Sequence, residues 1–431
     1  MDCPTDSKKY CFCEGLTFNS KPSTVMHIDL NSCFASIEQQ ANPLLRGKPV
    51  AVAAYATPRG CIIAPSVEAK KNGVKVGMRV GEGKSICPDL IILPPDPWKY
   101  RFIHLKLRNL LAGYTNRLVP KSIDEFVLDF DEYPVLSGSS MRNVAGEIKL
   151  RIKREIGEWI RVSIGIAPNR FLAKLASSFN KPDGLDEIDR ANFLNCYLGL
   201  ELTDLPYIKL QNAARLNSMG IFTVLDFYNA PLWRLKAAFR SVCGYYWYLR
   251  LRGWEIDDVD FTRRSFGNSY ALPNPLSSPR EISPILSKLV EKMGSRLRKS
   301  GYRARGVHLA VFYKDGYFWH RGKNCGKIFF DSRDIFREAF GIFCESPYKK
   351  PIRNLAVSVF DLVKKDFLQL EIFSDISRKR NLIAAVDIAN EKWGSFVVTP
   401  GRMLGTNSMV HDRISFGSVK EIEDFAVNHS H

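Results

Sequence analysis

The fold of this chain is decided by the stretch Lys121-Ser122-Ile123-Asp124-Glu125-Phe126-Val127-Leu128-Asp129-Phe130. It contains two adjacent carboxylates, Asp124 and Glu125, and an apolar run follows them. In this run Phe126, Leu128 and Phe130 share one side, while Val127 and Asp129 share the other. Alternation of this kind predicts a half-buried β-strand. The stretch therefore predicts a strand that carries acids at its leading end.

A further acid, Asp29, closes the earlier apolar run Val25-Met26-His27-Ile28-Asp29. Acids at the ends of two paired strands can hold divalent cations between them. Neighbouring strand residues point to opposite faces, so Asp124 and Glu125 reach one site only if the backbone turns there. A solvated acidic pair at a turn is the alternative, because carboxylates are mostly exposed. The apolar flanks Ile123 and Phe126 favour the metal site.

The charge of the chain points to a polyanionic partner. Its 431 residues predict two to four domains, and 62 Lys and Arg against 45 Asp and Glu give a net charge of +17. Such an excess is typical of proteins that bind nucleic acid or an acidic membrane surface, although it could also serve solubility alone.

Other sequence features narrow the class. The sequence contains no run of eighteen or more apolar residues, which a membrane-spanning helix would need. The first residues lack the apolar core of a signal peptide. The ten cysteines form no C-x-x-C pair, and Cys3, Cys11 and Cys13 are interpreted as reduced thiols. We therefore expect a cytoplasmic protein, or a nuclear one if the cell has a nucleus.

The order of predicted elements indicates a ferredoxin-like α+β domain. Helical patterns at 98–118 and 141–158 and another after Pro168 alternate with strand patterns at 25–30 and 162–167. Residues 185–255 are mostly helical in pattern, and a charged linker follows them. The last domain contains a basic helix, predicted from Ile285 to Ser300, that carries Lys288, Lys292, Arg296, Arg298 and Lys299.

Four motifs together resemble the Y-family translesion DNA polymerases, with the DinB and UmuC branches closest, over about residues 25–400. The resemblance implies an α+β multidomain, right-hand polymerase with a ferredoxin-like palm, small fingers, a helical thumb and an α+β little finger. The motifs are Ile28 to Glu38, Ser122 to Glu125, Ser163 to Ala176 with Lys181-Pro182-Asp183-Gly184, and Glu68-Ala69-Lys70 with Gly73-Val74 and Gly77-Met78.

The resemblance also implies domain boundaries. We expect an N-terminal extension at 1–24, a palm at 25–32 and 98–184, fingers at 33–97, a thumb at 185–255, a linker at 256–265, a little finger at 266–398 and a C-terminal tail at 399–431.

By the same resemblance, Asp29, Asp124 and Glu125 are the catalytic residues and bind two Mg²⁺ ions, with the backbone carbonyl of Leu30 as a further ligand. Hard oxygen ligands of this kind suit Mg²⁺. The sequence offers no His/Cys cluster that would indicate zinc.

Three residues match the family's nucleotide-binding positions. Phe34 stands at the steric gate, where an aromatic ring blocks a ribose 2′-hydroxyl; a core residue of the first helix is the alternative. Lys70 and Lys181 match contacts to the triphosphate. Lys70 replaces an arginine found in many relatives, which removes bidentate phosphate binding, and Val67 stands where many relatives have a tyrosine.

DNA contacts are implied for the thumb and the little finger. Relatives have Gly-Ile-Gly where this chain has Ile208-Lys209-Leu210, so we expect Lys209 to contact the backbone as a point charge. Arg296 and Arg298 on the basic helix are expected to contact duplex phosphates, with a solvated helix face as the alternative.

The segment Gln369-Leu370-Glu371-Ile372-Phe373 resembles the Q-L-x-L-F peptide by which bacterial polymerases bind the sliding clamp. Gln369, Leu370, Ile372 and Phe373 would make the contacts, and an ordinary edge strand is the alternative. The peptide indicates a bacterial source. By the same resemblance, an accessory subunit of the polymerase V type is a further candidate partner.

The sequence therefore predicts a template-directed DNA polymerase of the SOS and DNA-damage response, with low fidelity and without proofreading, that transfers nucleotides from dNTPs to a primer 3′-hydroxyl. The small residues Ala51, Ala53, Ala54, Ala56 and Gly60 suggest an open site that tolerates damaged bases. One alternative is a non-catalytic clamp- and DNA-binding adaptor of the same family. Another is a nucleotidyl transferase or cyclase that acts on free nucleotides.

Overall fold

The structure is a computed structural model of the 431-residue chain, and it describes residues 15–131, 140–259, 263–364, 376–407 and 409–410. They fall into two compact units, one within Met1–Val259 and one within Asp260–Asp412.

The first unit mixes eight strands with eleven α-helices among its described residues. Its strands are β1 (Val25–Leu30), β2 (Val50–Ala53), β3 (Ile62–Pro65), β4 (Ile91–Leu93), β5 (Leu118–Pro120), β6 (Glu125–Asp129), β7 (Val162–Ala167) and β8 (Leu185–Glu187). Its helices are α1 (Cys33–Ala41), α2 (Val67–Lys71), α3 (Val80–Ile86), α4 (Pro97–Ala112), α5 (Met141–Arg151), α6 (Arg170–Ala176), α7 (Phe193–Leu198), α8 (Leu210–Asn217), α9 (Val224–Asn229), α10 (Leu232–Phe239) and α11 (Cys243–Arg250).

The sheet that carries the acids has the strand order β5-β6-β1-β7-β8. Its central strand β1 pairs antiparallel with both β6 and β7. The apolar runs predicted as strands therefore lie side by side at the centre of one sheet, and the predicted α+β class is confirmed.

The prediction that β6 is half buried is wrong, because both of its faces are covered. Phe126 and Leu128 point into a core formed with helices α4 and α5, while Val127 belongs to the opposite core, formed with α6 and the helices that follow it. Asp129 is buried as well and forms ion pairs with Arg117 and Arg170. The polar residue at this alternating position is therefore paired with the buried Arg170 and the partly exposed Arg117.

A smaller sheet of order β3-β2-β4 forms with α2 and α3 the region predicted as fingers. Ala51 and Ala53 pack in its core against Val74 and Val80. These two alanines therefore fill the core of this region, and the predicted open site stays a prediction for Ala54 and Ala56. Gly60 is needed for backbone packing, since a Cβ there would lie 1.9 Å from the carbonyl oxygen of Tyr55.

Helices α7 to α11 pack around one apolar core with α6. The segment before β1 joins this core, because the Phe18 ring stacks on Phe193 with the ring centroids 4.1 Å apart. The backbone N–H of Asn19 also donates to the carbonyl of Arg252 at 2.8 Å. Residues 15–19 are therefore held against the helices that were predicted as the thumb.

The second unit is a four-stranded antiparallel sheet of order β11-β10-β12-β9, with α12 and α13 packed on its apolar face. Its elements are β9 (Ser265–Leu276), α12 (Pro279–Lys299), β10 (Tyr302–Tyr313), β11 (Phe318–Phe329), α13 (Ser332–Cys344), β12 (Ile352–Lys364) and α14 (Ile376–Trp393). The basic helix α12 begins six residues before its predicted start, because Ser278 caps it and Pro279 occupies its first turn.

Across the part of the chain that the structure describes, every helix is too short or too polar to cross a bilayer.

Candidate active site

Strand pairing brings two of the predicted acids together. In the β1–β6 register, Asp29 lies directly opposite Glu125. Directly opposed residues of an antiparallel pair project from the same face of the sheet. The two carboxylates therefore share one side of the sheet at its edge toward the loops, although 95 residues separate them in sequence.

Asp124 joins them because it lies in a turn rather than in the strand. The N–H of Lys121 donates to the carbonyl of Glu125 at 2.9 Å, and the N–H of Leu30 donates to the carbonyl of Asp124 at 2.9 Å. This turn removes the strict alternation that would send adjacent side chains to opposite faces. The Ser122 hydroxyl donates to Asp124 Oδ1 at 2.5 Å and orients that carboxylate.

The environment favours protonation of Asp124 in the absence of metal. Burial raises the pKa of Asp124 to about 6, and the negative charges of Asp29 and Glu125 add to the shift, while the Ser122 hydrogen bond opposes it. Burial likewise raises the pKa of Asp29, partly offset by Lys181. Three acids in this position repel one another unless cations lie between them.

Two lysines supply positive charge to the acids. Lys181 Nζ lies 2.8 Å from Asp29 Oδ2. Lys174 Nζ donates to both oxygens of Glu125, at 2.6 and 2.5 Å. Lys181 was predicted as a nucleotide contact, whereas Lys174 was missed. The signal was present in the sequence, since Lys174 is a single charge within the apolar run Phe171-Leu172-Ala173-Lys174-Leu175-Ala176.

The loop that carries Lys181 is held by side chains of the palm sheet. Asn31 Oδ1 accepts from the N–H of Asp183 at 2.7 Å, and the Ser163 hydroxyl accepts from the N–H of Gly184 at 3.2 Å. Lys153 also forms an ion pair with Asp183 at 3.1 Å. These contacts fix the turn beside Asp29 and so position the ammonium group of Lys181.

The donor set fits magnesium. Carboxylate oxygens from Asp29, Asp124 and Glu125 are the hard ligands that Mg²⁺ prefers, and the lysine ammonium groups lie where cations would balance them. Oxygens of Asp29 and Glu125, together with a nitrogen of His27, lie within 4.8 Å of one another. These residues can therefore hold divalent cations after modest side-chain movement.

Leu30 and Phe34 flank the acids. Leu30 is buried at the end of β1. Phe34 is 2% exposed, and its ring stacks on that of Tyr100 with the centroids 4.2 Å apart. Tyr100 in turn donates to Glu38 at 2.9 Å. The ring is thus held in the core next to the end of β1. This placement is compatible with a steric gate and with a core residue of the first helix.

Lys70 belongs to the same electrostatic neighbourhood. It lies in the last turn of α2. Partial desolvation of its ammonium group and the positive charge of Lys181 lower the pKa of Lys70. Asp29 opposes this shift. Positive charge therefore surrounds the acids, supplied by the ammonium groups of Lys70, Lys174 and Lys181.

The predicted thumb contact lies at the start of α8. Lys209 is the N-cap residue of that helix and is exposed, while Ile208 before it is fully buried. Tyr207 has a positive φ of 70°, a conformation that ordinarily favours glycine. The turn before α8 therefore contains a residue in the left-handed region.

The basic helix α12 is less available than its sequence suggested. Lys288 is 6% exposed and donates to the carbonyls of Thr406 and Met409, so it does not lie on a solvated face of the helix. Arg298 bonds to Asp387 of α14 at 2.6 Å and to Ser332 at 2.9 Å.

Arg296 donates to the carbonyl of Gly267 at 2.6 Å and stays at the surface. The predicted clamp peptide, residues 369–373, lies outside the described residues.

Two family descriptions match the chain. The impB/mucB/samB family matches residues 28–178, and the impB/mucB/samB family C-terminal domain matches residues 263–372. The chain is 31% identical to DNA polymerase IV of Pelotomaculum thermopropionicum, over 90% of this chain and 97% of that protein. It is 31% identical to DNA polymerase IV 1 of Bacillus subtilis, over 89% of this chain and 94% of that protein.

Solved structures show the same fold. The Y-family DNA polymerase chimera Dbh-Dpo4(243-245)-Dbh aligns with a TM-score of 0.70 at 24% identity, over 79% of this chain and 99% of the other. The insertion ternary complex of Dbh DNA polymerase aligns with a TM-score of 0.55, also at 24% identity and over the same shares. The predicted polymerase architecture is confirmed.

Proposed function

This chain belongs to the impB/mucB/samB family, the bacterial DinB-type Y-family of DNA-directed DNA polymerases, and we propose that it performs translesion synthesis by two-metal transfer of nucleotides from dNTPs to a primer 3′-hydroxyl. The observation that carries this proposal is the convergence of Asp29, Asp124 and Glu125 at one edge of the palm sheet.

The proposed roles follow from position. Asp29, Asp124 and Glu125, with the carbonyl of Leu30, would hold two Mg²⁺ ions, which supply activation of the primer hydroxyl and neutralisation of the departing pyrophosphate. Ser122 orients Asp124 through its 2.5 Å hydrogen bond. Lys181 and Lys70 provide positive charge on the side where a triphosphate would be bound.

Lys174 and Lys181 would then have two states. Without substrate, each neutralises a carboxylate. When cations take over that task, the ammonium groups are released to contact phosphate oxygens. Each ion pair also holds its carboxylate in place before metals arrive.

Phe34 is proposed as the steric gate. Its stack on Tyr100 fixes the ring beside the end of β1, so a ribose 2′-hydroxyl would meet a rigid aromatic edge. Lys209 and Arg296 are proposed to contact DNA phosphates, which gives affinity without sequence preference. The proposal also includes low fidelity. It further includes sliding-clamp binding, which rests on the sequence motif alone, through Gln369, Leu370, Ile372 and Phe373.

Primer extension tests the proposal. The full chain is given Mg²⁺, four dNTPs and a primed template that is either undamaged or contains an abasic site, beside Asp124→Ala and a reaction without template. We expect extension on both templates that is lost in the variant and without template.

Two outcomes would reject the proposal. Salt-sensitive DNA binding without synthesis by the wild type, with or without clamp, would favour the adaptor. Template-independent consumption of nucleotides would favour a transferase or cyclase.

A further inference from the structure

A histidine shares the face of the sheet that carries the acids. His27 lies two residues before Asp29 on β1, so the two side chains project from the same face. Val127 lies opposite His27, and Glu125 lies opposite Asp29. Glu125 is therefore the diagonal neighbour of His27, and the distance from His27 Nε2 to Glu125 Oε2 is 3.7 Å.

The imidazole has an unused ligand atom. His27 is 2% exposed, and its Nε2 has no hydrogen-bond partner among the described residues. A buried polar atom without a partner is destabilising, and such atoms in native proteins require an explanation. Here the orphaned nitrogen points toward a carboxylate that is itself a proposed metal ligand.

Imidazole nitrogen is the commonest protein ligand of transition metals, so His27 offers a donor that the acids alone lack. At 3.7 Å, His27 Nε2 and Glu125 Oε2 are too far apart for a direct hydrogen bond.

The separations suit a small cation. The donor atoms of His27, Asp29 and Glu125 lie within 4.8 Å of one another. Around a tetrahedral ion with bonds of about 2.0–2.2 Å, the donor atoms lie about 3.3–3.6 Å apart. The 3.7 Å pair is already close to this spacing, and the widest pair has to close by about 1 Å.

We propose that His27, Asp29 and Glu125 form a binding site for a first-row transition-metal cation such as Zn²⁺ or Mn²⁺, with His27 Nε2 as a direct ligand. One nitrogen and two carboxylate ligands suit Zn²⁺ and Mn²⁺ better than they suit Mg²⁺, which prefers oxygen ligands. The site shares Asp29 and Glu125 with the proposed Mg²⁺ site. The proposal therefore rests on the assignment of these two acids as metal ligands, but not on polymerase activity.

Lys174 is the competitor at this site. Its ammonium group contacts both oxygens of Glu125 and must move for the ion to bind. A Lys174→Met protein should therefore bind Zn²⁺ more tightly than the wild type in the absence of DNA. This variant also distinguishes the site from surface histidines, whose affinity would not change.

Nitrogen coordination can be observed directly. Mn²⁺ is added below one equivalent to the full chain without DNA, and electron spin echo envelope modulation records coupling to ¹⁴N. We expect coupling in the wild type and in His308→Gln, a control in the second unit, and its loss in His27→Gln. Zn²⁺ affinity by titration calorimetry should fall at least about tenfold in His27→Gln.

Absence of ¹⁴N coupling in the Mn²⁺-bound wild type would overturn the proposal, whether or not the variant folds. Coupling that persists in a folded His27→Gln protein would overturn it as well. Primer extension in Mg²⁺, run on the same preparations, separates the two proposals, because the nitrogen signal requires no synthesis and synthesis requires no nitrogen ligand.

Discussion

Asp124→Asn should make the metal-free protein more stable while removing its activity. The substitution keeps the shape of the side chain and an oxygen that can accept the Ser122 hydrogen bond. It removes a negative charge that burial and the neighbouring acids disfavour. The proposed catalytic arrangement of three close carboxylates therefore opposes the stability of the fold whenever metals are absent.

The magnitude follows from the pKa. The Asp124 carboxyl shifts from an ordinary value of 3.8 to about 6 in the fold. A raised carboxyl pKa means that the folded state binds more protons, so stability is lost as pH rises from about 4 to about 6 and stays low above that. At about 1.4 kcal/mol per pH unit, the loss at pH 8 is about 3 kcal/mol.

The assay is denaturant unfolding in EDTA at pH 8 and pH 5, with Asp89→Asn as an exposed control of the same charge change. We expect a gain of up to about 3 kcal/mol for Asp124→Asn at pH 8, about half of that at pH 5, and little change for the control. Mg²⁺ should stabilise the wild type and narrow the difference. Equal or lower stability of Asp124→Asn at pH 8 would refute the reasoning.

Three further predictions concern other parts of the chain. Phe34→Leu should raise ribonucleotide incorporation relative to deoxyribonucleotides at least about tenfold, measured by single-nucleotide insertion; unchanged discrimination would leave Phe34 a core residue only. Asp258→Asn should lower the free energy of unfolding by about 1 kcal/mol. The buried Arg170 loses an ion-pair partner at 2.5 Å, but that partner is 52% exposed and Arg170 keeps its ion pair with Asp129. Arg298→Met should cost about 2 kcal/mol by breaking the partly buried pair with Asp387, without changing the salt dependence of DNA binding; a shallower salt slope would show that Arg298 contacts phosphate after all.

Sequence patterns predicted the parts of the site that depend on local order. The runs ending at Asp29 and beginning at Glu125 are strands, and their pairing places the two acids opposite each other. The lysines at 70–71 and the glycine at 73 are also typical of the end of a helix, and α2 ends at Lys71. These features depend on periodicity and turn chemistry, which neighbouring residues determine.

Contacts between distant segments could not be predicted in the same way. Asp129 is buried because Arg117 and Arg170 approach it from separate elements. Lys288 and Arg298 form part of a helical pattern that is correct, but segments about 90 to 120 residues later cover them. Which face of a helix is covered depends on the packing of the whole unit, which periodicity does not encode.

The central claim is that Asp29, Asp124 and Glu125 act together as the ligands for metal-dependent synthesis. Single-turnover insertion of one correct dNTP is measured with saturating primer-template and Mg²⁺ for Asp29→Asn, Asp124→Asn, Glu125→Gln and the Asp89→Asn control. We predict that each of the first three rates falls about a hundredfold or more and that the control keeps the wild-type rate. A wild-type rate in any one of the three, with the protein folded, would contradict the assignment of that acid.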